Sequence, residues 1–185
     1  ATIATLPVIF KHLDLQFDSD IILAGVIQSL GKGNLRGIRH LVKTWPSKIR
    51  AAVCIEGGEL GRLNYYSNGM NRCEIKCTIS DQSGIEHRFR PNAILVLHEV
   101  INQILEIRLP QKPRSRVIIG KINGGHTHGT IAYEATLGLE IQSDTDRMVK
   151  ALLNDLRDIV TGIGHEFGVE LALSTISSVH AARLK

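Results

Sequence analysis

The chain has 185 residues, 43% of them hydrophobic and 22% charged, which suffices to bury a substantial core and excludes a disordered chain. No apolar run approaches the roughly 20 residues that cross a bilayer, and the N-terminus lacks the basic start of a secretory signal, so no membrane association is expected. The formal charge is +4, and six basic residues without an acid lie between Lys32 and Arg50. Phosphates could bind such a run, but the interleaved aromatic residues of a stacking platform are missing, so nucleic-acid binding is not expected.

Cys54, Cys73 and Cys77 leave an odd thiol and no disulfide framework, which points to a reducing compartment and hence to the cytoplasm. The chain begins at Ala1 without methionine, from which residues upstream are expected.

Along the chain, residues 6–13 read as a helical end. The run 21–27, IILAGVI, is nearly continuous and apolar, the pattern of a strand buried on both faces. After the loop at Gly31, Gly33 and Asn34, a helix is predicted from Leu35 to Thr44, ended by Pro46. A second buried strand, 51–55, would complete a parallel βαβ crossover. Beyond Gly57-Gly58 the strands alternate: 62–67 and 72–79 flank Asn68-Gly69 and predict a hairpin, with Cys73, Ile75 and Cys77 on one half-buried face. A helix is predicted from Pro91, with Ile94, Leu97, Val100, Ile101, Ile104 and Leu105 along one stripe.

Residues 116–122 and 131–141 read as two strands joined by Gly-Gly-His-Thr-His-Gly. His126 and His128 are two apart, so on a strand both imidazoles would face one side and could share a cation, although two ligands make half a site. Ser143 or Asp144 is placed to cap the next helix, which carries Met148, Leu152, Leu156, Ile159 and Ile163 and closes at Gly168 before a last strand, 169–173. Hairpin, helix, two strands, helix and strand together predict a sheet with two helices on one face.

Residues 33–41, GNLRGIRHL, followed by Glu56-Gly57-Gly58 and Leu60-Gly61-Arg62, resemble the end of the catalytic domain and the entry to the lid domain of M20-family zinc peptidases. Arg90-Pro91-Asn92-Ala93-Ile94, the loop 120–125 and Glu134-Ala135 resemble that lid further on. The resemblance implies a remnant of a parallel α/β catalytic domain over 1–60, a ferredoxin-like dimerisation (lid) domain over 61–173, and a return segment or tail over 174–185. It also implies zinc as the family's metal and a homodimer formed through the lid.

The family's functional residues carry over poorly. Where its Glu-Glu pair supplies a ligand and a general base, this chain has Ser29-Leu30, and only Glu56 stands at a matching ligand position, as a relic. Ser83 replaces a family His, Gly129 a substrate-binding Asn, and Gln142 an Arg that clamps a substrate carboxylate. Arg36 matches a family arginine and is expected to fix the loop before its helix. The expectation is a chain inactive by itself, with no catalytic residue and no cofactor of its own, serving as a dimerisation or scaffold module. The alternative is part of a zinc-dependent peptidase or amidohydrolase completed elsewhere, with Glu56, His126 and His128 as replacement ligands.

Overall fold

The computed structural model describes residues 2–29, 31–46, 49–55, 61–80 and 91–183. They fall into two compact units, Ala1–Leu63 and Asn64–Lys185.

The first unit holds helix α1, Thr2–His12, a 3-10 turn at Gly31–Gly33 and helix α2, Arg36–Thr44. Helix α2 starts without a side-chain cap, because Asn34 and Leu35 both lie in the left-handed region at φ 46° and 57°. The loop is fixed instead by Arg39, whose Nε donates to Asn34 O at 3.0 Å, a task expected of Arg36. The expected crossover strands do not form: 21–27 and 51–55 carry no ladder among the described residues. Ile27 is 76% exposed and Val53 80%. A parallel pair is stable when layers cover both of its faces, and these apolar runs have no such cover within the unit. Gly37 marks where α2 meets the first run, since a Cβ there would sit 2.5 Å from Ile27 O.

The second unit is the α+β sandwich the periodicities predict. Its elements in chain order are β1 (Tyr66–Ser67), β2 (Gly69–Thr78), α3 (Ala93–Glu106), β3 (Ser115–Gly124), β4 (Glu134–Ser143), α4 (Asp146–Phe167), β5 (Glu170–Val179) and β6 (Ala182–Arg183). Four of the strands form an antiparallel sheet in the order β3-β4-β2-β5, the ferredoxin-like βαββαβ arrangement. Helices α3 and α4 pack on each other and on one face of this sheet.

The core between sheet and helices follows from period two on the strands and 3.6 on the helices. Cys73, Ile75 and Cys77 of β2 and Ala135, Leu137, Leu139 and Ile141 of β4 point inward. They meet Val96, Leu97, Val100 and Ile104 of α3 and Leu152, Leu156, Val160 and Ile163 of α4. Desolvation pushes the Cys77 thiol up to about 11, and burial raises that of Cys73 as well, so both remain protonated packing groups. The predicted helical stripe on α3 is rotated by part of a turn: Ala93 and Val96 are buried, whereas Ile94 and Leu105 are exposed.

Three local expectations are corrected. Asn68-Gly69 does not close a hairpin; neither residue has the positive φ that a two-residue hairpin turn requires, and β1 pairs with β6 instead of β2. The cap of α4 is Thr145, whose hydroxyl accepts from Met148 N at 3.4 Å, because Ser143 Oγ is paired with Ser115 Oγ and Asp144 holds the N–H of Arg114. Residues 174–179 extend β5, whose ladder with β2 continues past a register shift at Arg72/Cys73. At the other end of α4, Gly168 takes φ 61°, the left-handed closure expected of it.

Candidate functional site

Within the second unit, helices α3 and α4 cover one face of the sheet, and the other face carries the even-numbered residues of β2 and β4. Antiparallel register sets Arg72 opposite Glu140, and Arg116 of β3 opposite Gln142. Arg72 Nε donates to Glu140 Oε2 at 2.9 Å, and Arg116 Nε donates to Gln142 Oε1 at 2.6 Å. The Gln142 amide in turn donates to Glu140 Oε1, so the four side chains form one chain across three strands. Burial works against the Glu140 charge, but the hydrogen bonds from Gln142 and Arg72 outweigh it and hold the carboxyl below its usual range. Gln142 is thus a linker between a cation and a carboxylate, with both ends of its amide occupied.

This network was not legible in the sequence. Arg72 is 68 positions from Glu140 and Arg116 is 26 from Gln142, and only the strand register brings them together. The available signal was polar residues at period two, which marks a solvent face without naming partners.

The loop between β3 and β4 contains the other candidates. Gly125 and Gly129 both have positive φ, 73° and 79°, and Gly125 N donates to Glu134 O at 3.3 Å, closing the loop base. Thr130 Oγ1 donates to Thr127 O at 2.8 Å. Nothing lies within 4 Å of a Cβ built at Gly129, so the position lacks a side chain because of its backbone conformation rather than crowding. His126 and His128 are exposed on this loop, not on a strand, which removes the shared-face argument for a cation.

Glu56 and Ser83 lie outside the described residues. Among the described residues, no group of three His, Cys, Asp or Glu side chains is placed to hold a metal ion.

The remaining surface of note is the sheet edge. Among the described residues, strand β3 ends the sheet on one side with β4 as its one ladder partner, and Ile118 and Ile122 along it are 39% and 52% exposed. A register shift at Ile119/Lys121 bends the strand and sets a lysine beside it. Charges and bulges of this kind are how natural edges restrict strand addition to a chosen partner.

The βαββαβ architecture of the second unit recurs in solved amidohydrolase and peptidase structures. The aminobenzoyl-glutamate utilization protein of Klebsiella pneumoniae shares the fold at TM-score 0.57 and 15% identity, over 62% of this chain and 29% of that one. A hydantoinase/carbamoylase family amidase from Burkholderia ambifaria matches at TM-score 0.55 and 19% identity, over 63% of this chain and 29% of that one. A Bacillus subtilis protein described as a dinuclear metal-binding peptidase of the M20 family matches at TM-score 0.50 and 13% identity, over 64% of this chain and 28% of that one. The likeness is one of fold, and the chain spans less than a third of each of these structures. No family model matches the chain and no curated protein matches it in sequence. No helix among the described residues is long and apolar enough to cross a membrane.

Proposed function

We propose that this chain is an M20-like, non-catalytic association module that forms a homodimer through its lid. The observation that carries the proposal is the open edge of β3, a ten-residue strand with unpaired backbone groups and two half-exposed isoleucines. Antiparallel pairing of two such edges about a two-fold axis would satisfy those groups and cover the isoleucines, joining two four-stranded sheets into one. The altered positions support the non-catalytic half of the reading. Gly129 offers no side chain to a substrate, and Gln142 is neutral and engaged at both ends of its amide. Three free thiols suit a reducing compartment such as the cytoplasm.

Size-exclusion chromatography with light scattering tests this. The expected mass is twice the 20.4 kDa chain, with no stoichiometric zinc by metal analysis of the same peak. A strictly monomeric chain at every concentration would overturn it.

A second reading, part of a zinc-dependent amidohydrolase or peptidase completed by another segment or chain, draws on the matched structures, one of which is described as dinuclear metal-binding. Amide hydrolysis by the zinc-supplemented chain, abolished by Glu56→Gln or His126→Ala, would establish it in place of the first.

A further inference from the structure

Helix α3 is apolar over more of its circumference than one core needs. Ala93, Val96, Leu97, Val100 and Ile104 face the sheet, yet Ile94 and Leu105 keep 39% and 72% of their surface and Ile101 is only partly covered. At 3.6 residues per turn, Ile94, His98, Ile101 and Leu105 follow one another at steps of four, three and four, so they form a line along one flank of the helix. Such a narrow line is the pattern of a helix that meets a second helix. The end of β3 identifies the flank: a Cβ added at Gly124 would lie 2.9 Å from Ile94 Cγ1, and one at Gly125 3.5 Å from Ile94 Cδ1. Val117, Ile119 and Ile122 stand opposite the core residues Ile141, Leu139 and Leu137, so they share the helix side of the β3 edge and extend the line onto the sheet.

The edge by itself is small for a stable pair of copies. Ten residues of strand measure about 34 Å, and an edge about 10 Å deep offers on the order of 340 Å². A stable interface covers roughly 800 Å² on each partner, more than twice that area. A two-fold axis that pairs two β3 edges also brings the two α3 flanks side by side and antiparallel, which adds the missing apolar surface.

His98 is the one polar member of the line, and it is exposed in the single chain. Its neighbour is the Asn102 amide, with Nδ2 at 3.4 Å from His98 Nδ1. The charged groups of α3, Glu99 and Glu106, project away from this flank, and the Glu99 carboxylate accepts from Asn102 and Gln103 at 3.4 and 3.5 Å. The helix side of β3 carries no titratable group, because Lys121 stands opposite Gly138 on the other face. No carboxylate is therefore placed on this flank to compensate an imidazolium.

We propose that this flank of α3 packs against the same flank of the second copy, with His98 inside the contact, so that association is two layers deep and weakens when His98 takes up a proton. The inference rests on the homodimer proposed above and adds its helical layer and its regulation. A histidine covered among apolar groups holds a proton less readily than the same residue in a free chain, so the dimer is fully stable above the ordinary histidine range and loses stability as pH falls through it.

Sedimentation velocity over a dilution series at about pH 7.5 and about pH 5.5 tests the proposal, with circular dichroism reporting the fold. The parent dissociation constant is expected to rise roughly ten- to hundredfold between the two, since two histidines enter each dimer. His98→Leu should associate at least as tightly as the parent and lose the pH dependence. Leu105→Lys should weaken association at least tenfold, and Leu95→Lys, on the crest of the helix away from the flank, should not. A dimer that Ile118→Lys/Ile122→Lys separates but that neither Leu105→Lys nor acid affects would sink this inference and leave the strand seam standing. Retained pH dependence in His98→Leu, or equal weakening by Leu95→Lys, would overturn it as well, and a parent chain that is monomeric throughout would end both readings.

Discussion

If β3 is the dimer seam, lysines along it should separate the protomers without unfolding them. Ile118 and Ile122 retain 39% and 52% of their surface in the single chain, so pairing two edges would cover at most the equivalent of about one whole isoleucine per protomer. Full burial of an isoleucine contributes roughly 1.5–3 kcal/mol, which puts the contribution of these residues to the two-fold interface at up to about 4 kcal/mol. Replacing both by Lys removes that contribution and brings like charges together across the axis. The dissociation constant should rise on the order of a thousandfold. Sedimentation velocity over a dilution series reads this directly, with far-UV circular dichroism confirming that the chain stays folded. Ala172→Lys, on the opposite edge strand β5, is the control and should leave association unchanged. An Ile118→Lys/Ile122→Lys chain that dimerises as tightly as the parent would refute the placement of the seam, even if the protein is a dimer.

Ile75 is fully buried in the central strand β2, flanked by Leu137 and Leu173 and roofed by helices, so Ile75→Ala should cost about 4 kcal/mol in urea melts followed at 222 nm. At the end of α4, Gly168→Ala should cost about 1 kcal/mol in the same assay, because φ 61° is disfavoured once a Cβ is present. The Asp146 carboxyl is held below its usual range, chiefly by the Ala181 N–H and then by the hydrogen bond from His180. A carboxyl depressed in the folded state stabilises it above the unfolded pKa and loses that contribution as pH falls through the folded one. The protection factor of the Ala181 amide, its exchange rate relative to the intrinsic one, should therefore fall on the acid side of the normal carboxylate range, and Asp146→Asn should abolish that pH dependence.

The second unit was legible because its signals are local and redundant. Cys73, Ile75 and Cys77 alternate, α4 repeats leucine and isoleucine at helical spacing, and Gly168 ends the helix; each states the same buried face. The first unit was misread because a continuous apolar run reports burial without naming a partner. Residues 21–27 look like a strand, yet a strand exists only where a neighbour completes its ladder. Asn68-Gly69 failed for the same reason: the dipeptide permits a hairpin, but β1 finds its ladder with β6, more than a hundred residues along. At the site level, Gln142 was identified as a departure from the family's arginine, while its partners Arg116 and Glu140 depend on registers that no local pattern encodes.

Those registers give Gln142 a role that can be separated from any vestige of substrate binding. Arg116 and Gln142 are directly opposite on β3 and β4, and the Gln142 amide accepts from one neighbour while donating to the other. A glutamine is neutral and bifunctional, which is what a position between a guanidinium and a carboxylate requires. An arginine there has no acceptor for Arg116 and would set two cations opposite each other, competing for Glu140. Like charges directly across a strand pair are destabilising, by about 0.2–1 kcal/mol. Gln142→Arg should therefore lower stability by about that amount, and Arg116→Gln introduced with it should recover most of the loss, a coupling that a double-mutant cycle measures in urea. If Gln142→Arg is neutral or stabilising, or if the two substitutions are additive, Gln142 is not the linker of this network, and the exchange at that position has some cause other than the packing of charges on the open face.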